Sequence, residues 1–161
     1  MNTDPGNWLR KKIRIAIWLT IIGLTVSGLS AFPLQAELHF VLQYQDYMPG
    51  AVAAWFLKVQ EAVIFTSEQY PFMLYGYDWL GFAHLLIALA FAGPLMDPVK
   101  NQWVVVWGML AALLTILMAL VAEPLRGIPF FWSLVDATIG GGAFLILWLC
   151  NRWINQLRHT P

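Results

Sequence analysis

The sequence predicts an all-α polytopic membrane protein, with four transmembrane helices and an interfacial helix in the first outer loop. Three observations predict it. Of 161 residues, 60% are hydrophobic and 11% charged, less than half the charge of an ordinary soluble domain. Four runs stay apolar over the roughly 20 residues a helix needs to cross a hydrocarbon core of about 30 Å. The few charges are sorted by side. Nine Lys and Arg cancel nine Asp and Glu, so no clustered basic surface marks nucleic acid as a partner.

The chain reads as a single membrane domain, residues 1–161, with spans at about 14–32, 79–96, 103–122 and 131–151. The first span follows the basic cluster Arg10-Lys11-Lys12-Ile13-Arg14. With Leu34-Gln35-Ala36 behind it, this segment also has the outline of a cleavable signal peptide. Its apolar run is longer than the usual 7–15 residues, so it is read as an anchor. Inside the second span His84 is the single ionisable residue, the third has none, and the fourth holds Asp136 near its beginning.

Charge placement orients the spans. With both termini cytoplasmic, the inner segments hold Arg10, Lys11, Lys12, Arg14, Lys100, Arg152 and Arg158. The outer ones hold Lys58 and Arg126. This is a positive-inside asymmetry. Trp8, Trp79, Trp103, Trp132 and Trp153 fall near span ends, as an aromatic belt requires. Cys150, the lone cysteine, forms no intrachain disulfide and reads as a small buried hydrophobe.

The outer segment, residues 33–78, is too long for a bare loop. Val52, Trp55, Phe56, Val59 and Val63 recur at helical spacing with Lys58 and Glu61 opposite, which predicts a helix over 51–65. Lys58, Gln60 and Glu61 in mid-segment argue against a fifth span, so the helix should lie along the outer interface or cap the bundle. Residues 34–48 fit a helix, with Leu34, Leu38, Val41 and Leu42 on one face; a strand fits their alternation too, but no second strand is available to pair with it. The aromatic run from Tyr70 to Trp79 reads as an interfacial collar or as the rim of an apolar pocket.

Ionisable residues within a membrane are functional candidates because desolvating them is costly. The topology brings Asp78, His84, Glu123, Arg126 and Asp136 to one level near the outer boundary. These residues, with Tyr75 and Trp79, are the candidate ligand-binding set. Ion pairs and hydrogen bonds pinning helix ends are the plainer explanation of the same residues. An imidazole held by a carboxylate is also the minimal acid–base pair, which makes His84, Asp136 and Glu123 the catalytic candidates. No activated serine or cysteine is evident there; Ser133 lies one turn before Asp136 without a distinguishing mark. Haem on His39 and His84, or a divalent metal on His39, His84, Glu37 and Asp136, is chemically conceivable, but no H-x-x-x-H or H-E-x-x-H spacing supports it. The sequence therefore implies no cofactor and no metal.

Small residues recur at four-residue spacing (Gly23, Ser27, Ala31; Gly108, Ala112; Ala111, Thr115, Ala119), and Gly140-Gly141-Gly142 sits mid-span. Tight helix packing explains them; room for a lipid is the alternative. The connector Asp97-Pro98-Val99-Lys100-Asn101 carries no chemistry of its own.

Three segments, residues 75–84, 93–101 and 123–136, resemble an uncharacterised family of small bacterial four-span membrane proteins. They include Tyr75-Gly76-Tyr77-Asp78-Trp79, Gly93-Pro94-Leu95-Met96-Asp97-Pro98 and Glu123-Pro124-Leu125-Arg126-Gly127. The resemblance implies a topology and a bacterial inner membrane, and no chemistry. The layout alone is similar to the sterol-isomerase and sigma-2-receptor group, which encloses a lipid-sized pocket with acidic residues; here His84 stands where an acid is expected. The first expectation is a non-catalytic lipid-binding or accessory module, partnered by membrane lipid or another membrane subunit. The second is a lipid-modifying isomerase or hydrolase using His84 and Asp136.

Overall fold

A computed structural model describes residues 5–159. No strand occurs among the described residues. The helices are α1 (Pro5–Ser30), α2 (Leu34–Leu42), α3 (Gly50–Gln69), α4 (Tyr75–Ala90), α5 (Ala92–Met96), α6 (Gln102–Leu125) and α7 (Phe130–Arg158). Short 3₁₀ turns lie at Gln45–Tyr47 and Pro71–Met73. Four stretches are long and apolar enough to cross a membrane: Gly6–Ser30, Pro71–Met96, Gln102–Leu125 and Phe130–Arg158, with mean hydropathies of 1.7, 1.8, 2.6 and 1.7. Large apolar side chains on these stretches, among them Leu29, Leu110, Leu117 and Ile139, are more than half exposed. Such surfaces suit lipid as solvent, and helices satisfy their own backbone there. The protein is an all-α, multi-pass membrane protein.

The helices outrun the apolar runs. α1 takes in Arg10 to Arg14, and α7 continues through Arg152 to Arg158. Residues 34–42 are helical rather than extended, and α3 reaches Gln69.

The chain divides into two compact units, Met1–Gly23 with Ala88–Pro161, and Leu24–Ile87. In the first, Ile13 and Ile17 of α1, Phe91, Val105 of α6, and Cys150 and Ile154 of α7 are essentially inaccessible. α6 and α7 pack antiparallel through glycine. A Cβ at Gly108 would lie 2.8 Å from the Phe91 ring and 2.9 Å from Leu147, and one at Gly140 would lie 2.9 Å from Ile116. Gly141 and Gly142 have nothing within 4 Å of that position, so one glycine of the three makes the contact.

A polar clasp closes the end where α6 begins and α7 finishes. Gln102 Nε2 donates to Asn151 Oδ1 (2.6 Å) and Asn155 Oδ1 (2.8 Å), while its Oε1 accepts from Arg158. Nearby in the same unit, the Lys12 ammonium sits 3.6 Å from the Trp8 ring centre and 5.2 Å from that of Trp153, a cation–π pairing of α1 with α7. The 97–101 connector is a built turn. Asp97 Oδ1 accepts from the Val99 and Lys100 amides (3.2 and 3.1 Å), and Asn101 Nδ2 donates to the Gly93 and Asp97 carbonyls (both 3.0 Å).

In the second unit, α2 packs on α3 with Leu38 and Leu42 buried. The last turn of α1 meets α4 backbone to backbone. A Cβ at Gly81 would lie 2.6 Å from the Gly28 carbonyl oxygen, and one at Gly28 would lie 2.7 Å from that of Gly81. Glycine is what permits this approach.

Candidate functional site

The first group of candidates is built by the turn between α6 and α7. Pro124 enters the last turn of α6, and the helix stops at a glycine in the left-handed region, Gly127 at φ 73°. The Ile128 amide donates to the Glu123 carbonyl and the Gly127 amide to the Pro124 carbonyl, both at 3.0 Å. This pair of bonds is a Schellman motif, which caps carbonyls the helix would otherwise leave open. Pro129 then caps α7, its carbonyl accepting from the Trp132 amide at 2.8 Å. The result is a tight reversal that sets the final turn of α6 beside the first turns of α7.

Glu123 and Asp136 face each other across that reversal, near enough for their carboxyl groups to act on each other. Two carboxylates repel, so such an approach needs a proton or a cation between them. Among the described residues the one ion pair is Lys100 with Asp97 (3.6 Å), so neither acid is balanced by a basic side chain. Arg126 is exposed and makes no such pair with either. Ser133, one turn before Asp136, is fully buried. Among the described residues, two buried side-chain polar atoms lack a hydrogen-bond partner: Glu123 Oε2 and Ser133 Oγ. The sequence passed over Ser133. Its position on Asp136's face was readable, but its burial is set by tertiary packing.

The second group lies on α4, in the other unit. One face of α4 carries Tyr77, Asp78, Gly81 and Leu85 at three- and four-residue spacing, with Leu74 in line with it just before the helix, and Gly81 on this face touches Gly28. Just past that contact, where a Cβ at Gly81 would be 2.9 Å from Ala31 and 3.3 Å from Phe32, a cavity of about 440 Å³ opens. Its walls are Ala31 and Phe32 from the end of α1, residues 33–36, Val63 of α3, and Leu74, Tyr77 and Asp78. The lining is mainly apolar with a few polar groups, Gln35, Tyr77 and Asp78. Asp78 sits in the first turn of α4, where the helix dipole favours a carboxylate.

His84 stands six positions beyond Asp78, about 120° away around the helix at 100° per residue, so the two flank the Gly81 stripe on opposite sides. Its Nδ1 donates to the Leu80 carbonyl at 2.8 Å, which fixes the tautomer and leaves Nε2 as an acceptor. Tyr75 and Trp79 are on another side of α4. They stack edge-to-face in a ladder with Phe82 (6.3 and 5.7 Å between ring centres), and neither lines the cavity. A second aromatic series, Phe65, Tyr70 and Phe72, runs from α3 through the 3₁₀ turn (6.2 and 6.3 Å). The aromatic run thus supplies mostly exposed collar, with Tyr77 alone of its rings on the cavity wall.

His39 and Glu37 are exposed on α2. Among the described residues no three His, Cys, Asp or Glu side chains gather as a metal-binding group. Comparison with known protein families, with characterised proteins and with solved structures finds no match to this chain.

Proposed function

We propose that this multi-pass membrane protein binds a lipid-like amphiphile in the cavity beneath Asp78, as a non-catalytic binding or accessory module. The cavity itself carries this reading. Its volume of about 440 Å³ falls within the range of small-molecule sites, roughly 300–1,000 Å³. Phe32, Leu34, Val63 and Leu74 would enclose an apolar body, and Asp78 with Tyr77 and Gln35 would hold a hydrogen-bond-donating or cationic head. Asp78 meets no basic side chain among the described residues, so its carboxylate is free to accept. The positive-inside sorting supports cytoplasmic termini, and the resemblance of residues 75–84, 93–101 and 123–136 supports a bacterial inner membrane.

A second reading, a lipid-modifying enzyme, has one observation in its favour: the fixed tautomer of His84 leaves Nε2 able to take a proton.

Native mass spectrometry of the gently extracted protein tests the first reading. A lipid should remain on the wild type, fall off when Val63→Phe fills the cavity, and weaken with Asp78→Asn. Equal lipid occupancy in the wild type and Val63→Phe would overturn the assignment. Loss of a product-forming activity in His84→Ala, with lipid retention unchanged, would favour the enzyme.

A further inference from the structure

The approach of Glu123 to Asp136 answers to no basic side chain, and burial sharpens the conflict. Folded proteins leave few buried polar atoms unpartnered, and an ion or water commonly accounts for those that are. Here the two such atoms among the described residues, Glu123 Oε2 and Ser133 Oγ, flank one turn. Ser133 is fully buried and lies three positions before Asp136, hence on the same face of α7. Two carboxyl groups and a hydroxyl thus offer oxygen ligands along the facing turns of α6 and α7.

The setting favours positive charge. Glu123 is in the last turn of α6, at the negative end of the helix dipole, where an acid is disfavoured unless a cation offsets it. A water molecule could hydrogen-bond to these oxygens but would leave the charge uncancelled. A small hard cation satisfies both requirements, because such ions are bound by carboxylate and hydroxyl oxygens, with water completing the shell. We propose that Glu123, Ser133 and Asp136 form a site for one hard, oxygen-ligated metal cation at the α6–α7 turn. The cation would tie the end of α6 to the start of α7. The cavity on α4 plays no part in this inference.

The test is thermal unfolding of the full chain in detergent, in EDTA and then with Ca²⁺, Mg²⁺ or Na⁺, choline chloride holding ionic strength constant. At about a hundredfold excess over Kd the cation should raise Tm by about 5–10 °C. The Na⁺ arm separates a monovalent occupant from a divalent one. Glu123→Gln and Asp136→Asn should fold, because an amide can donate to the remaining carboxylate; in EDTA their Tm should equal or exceed that of the wild type. Both should lose the cation response, and Ser133→Ala should shift it to higher concentration. If wild-type Tm is the same in EDTA and in every cation, a shared proton fills the gap and the proposal fails. It also fails if Glu123→Gln and Asp136→Asn keep the full response.

Discussion

A single methyl group distinguishes glycines that hold helices together from glycines that do not. At Gly81 an added Cβ would lie 2.6 Å from the Gly28 carbonyl oxygen, a backbone atom that cannot rotate away; at Gly141 it would meet nothing within 4 Å. Gly81→Ala should therefore destabilise the protein by about 1–3 kcal/mol, while Gly141→Ala should stabilise α7 by up to about 1 kcal/mol. Denaturant titration of the two variants side by side checks this, and a reversed order would contradict it. The sequence shows small residues without showing which helix they meet. Its stripe of Gly23, Ser27 and Ala31 was near the contact, yet the close approach is made by Gly28, with Ala31 beside it. The same limit applies to Glu123 and Asp136. Their common depth follows from span boundaries, but their approach depends on how tightly Gly127 turns the chain.

The elements differ in how much of them is local. The spanning helices are legible because long uncharged runs have no other stable form in lipid. The helical state of residues 34–42 was open between two periodicities, and packing on α3 accompanies the outcome. The turns look like punctuation in sequence and prove to be specific structures. Asp97 illustrates this. The Lys100 amide foremost, then the Lys100 ammonium and the Val99 amide, hold its carboxyl below the ordinary value of 3.8. A carboxylate with a lowered folded-state pKa contributes stability that is present above the unfolded value and lost as pH falls through the folded one. Asp97→Ala should thus be less stable than the wild type near neutrality. The gap should narrow as pH drops below about 3.8 and vanish at lower pH. Thermal unfolding of the pair across that range measures it; a gap that stays constant would remove the carboxylate from the explanation. The Gln102 clasp went unread, although Asn151 and Asn155 at i, i+4 spacing near Arg158 were the available signal.

For the molecule as a whole, a net charge of zero says less than where the charges fall. Arg10 to Arg14 fall in the early part of the first spanning helix, Lys100 between the second and third, and Arg152 and Arg158 in the last quarter of the fourth, while residues 34–70 fall between the first and second. The proposed topology has four crossings that return the chain to its starting side, with residues 34–70 between the first and second of them on the opposite one. Labelling of single cysteines in intact cells tests this most directly, with a membrane-impermeant maleimide and the buried Cys150 replaced by alanine. Gln60→Cys should react from outside, and Lys100→Cys only after the membrane is opened. Reaction of both positions from the same side would contradict the four-span arrangement.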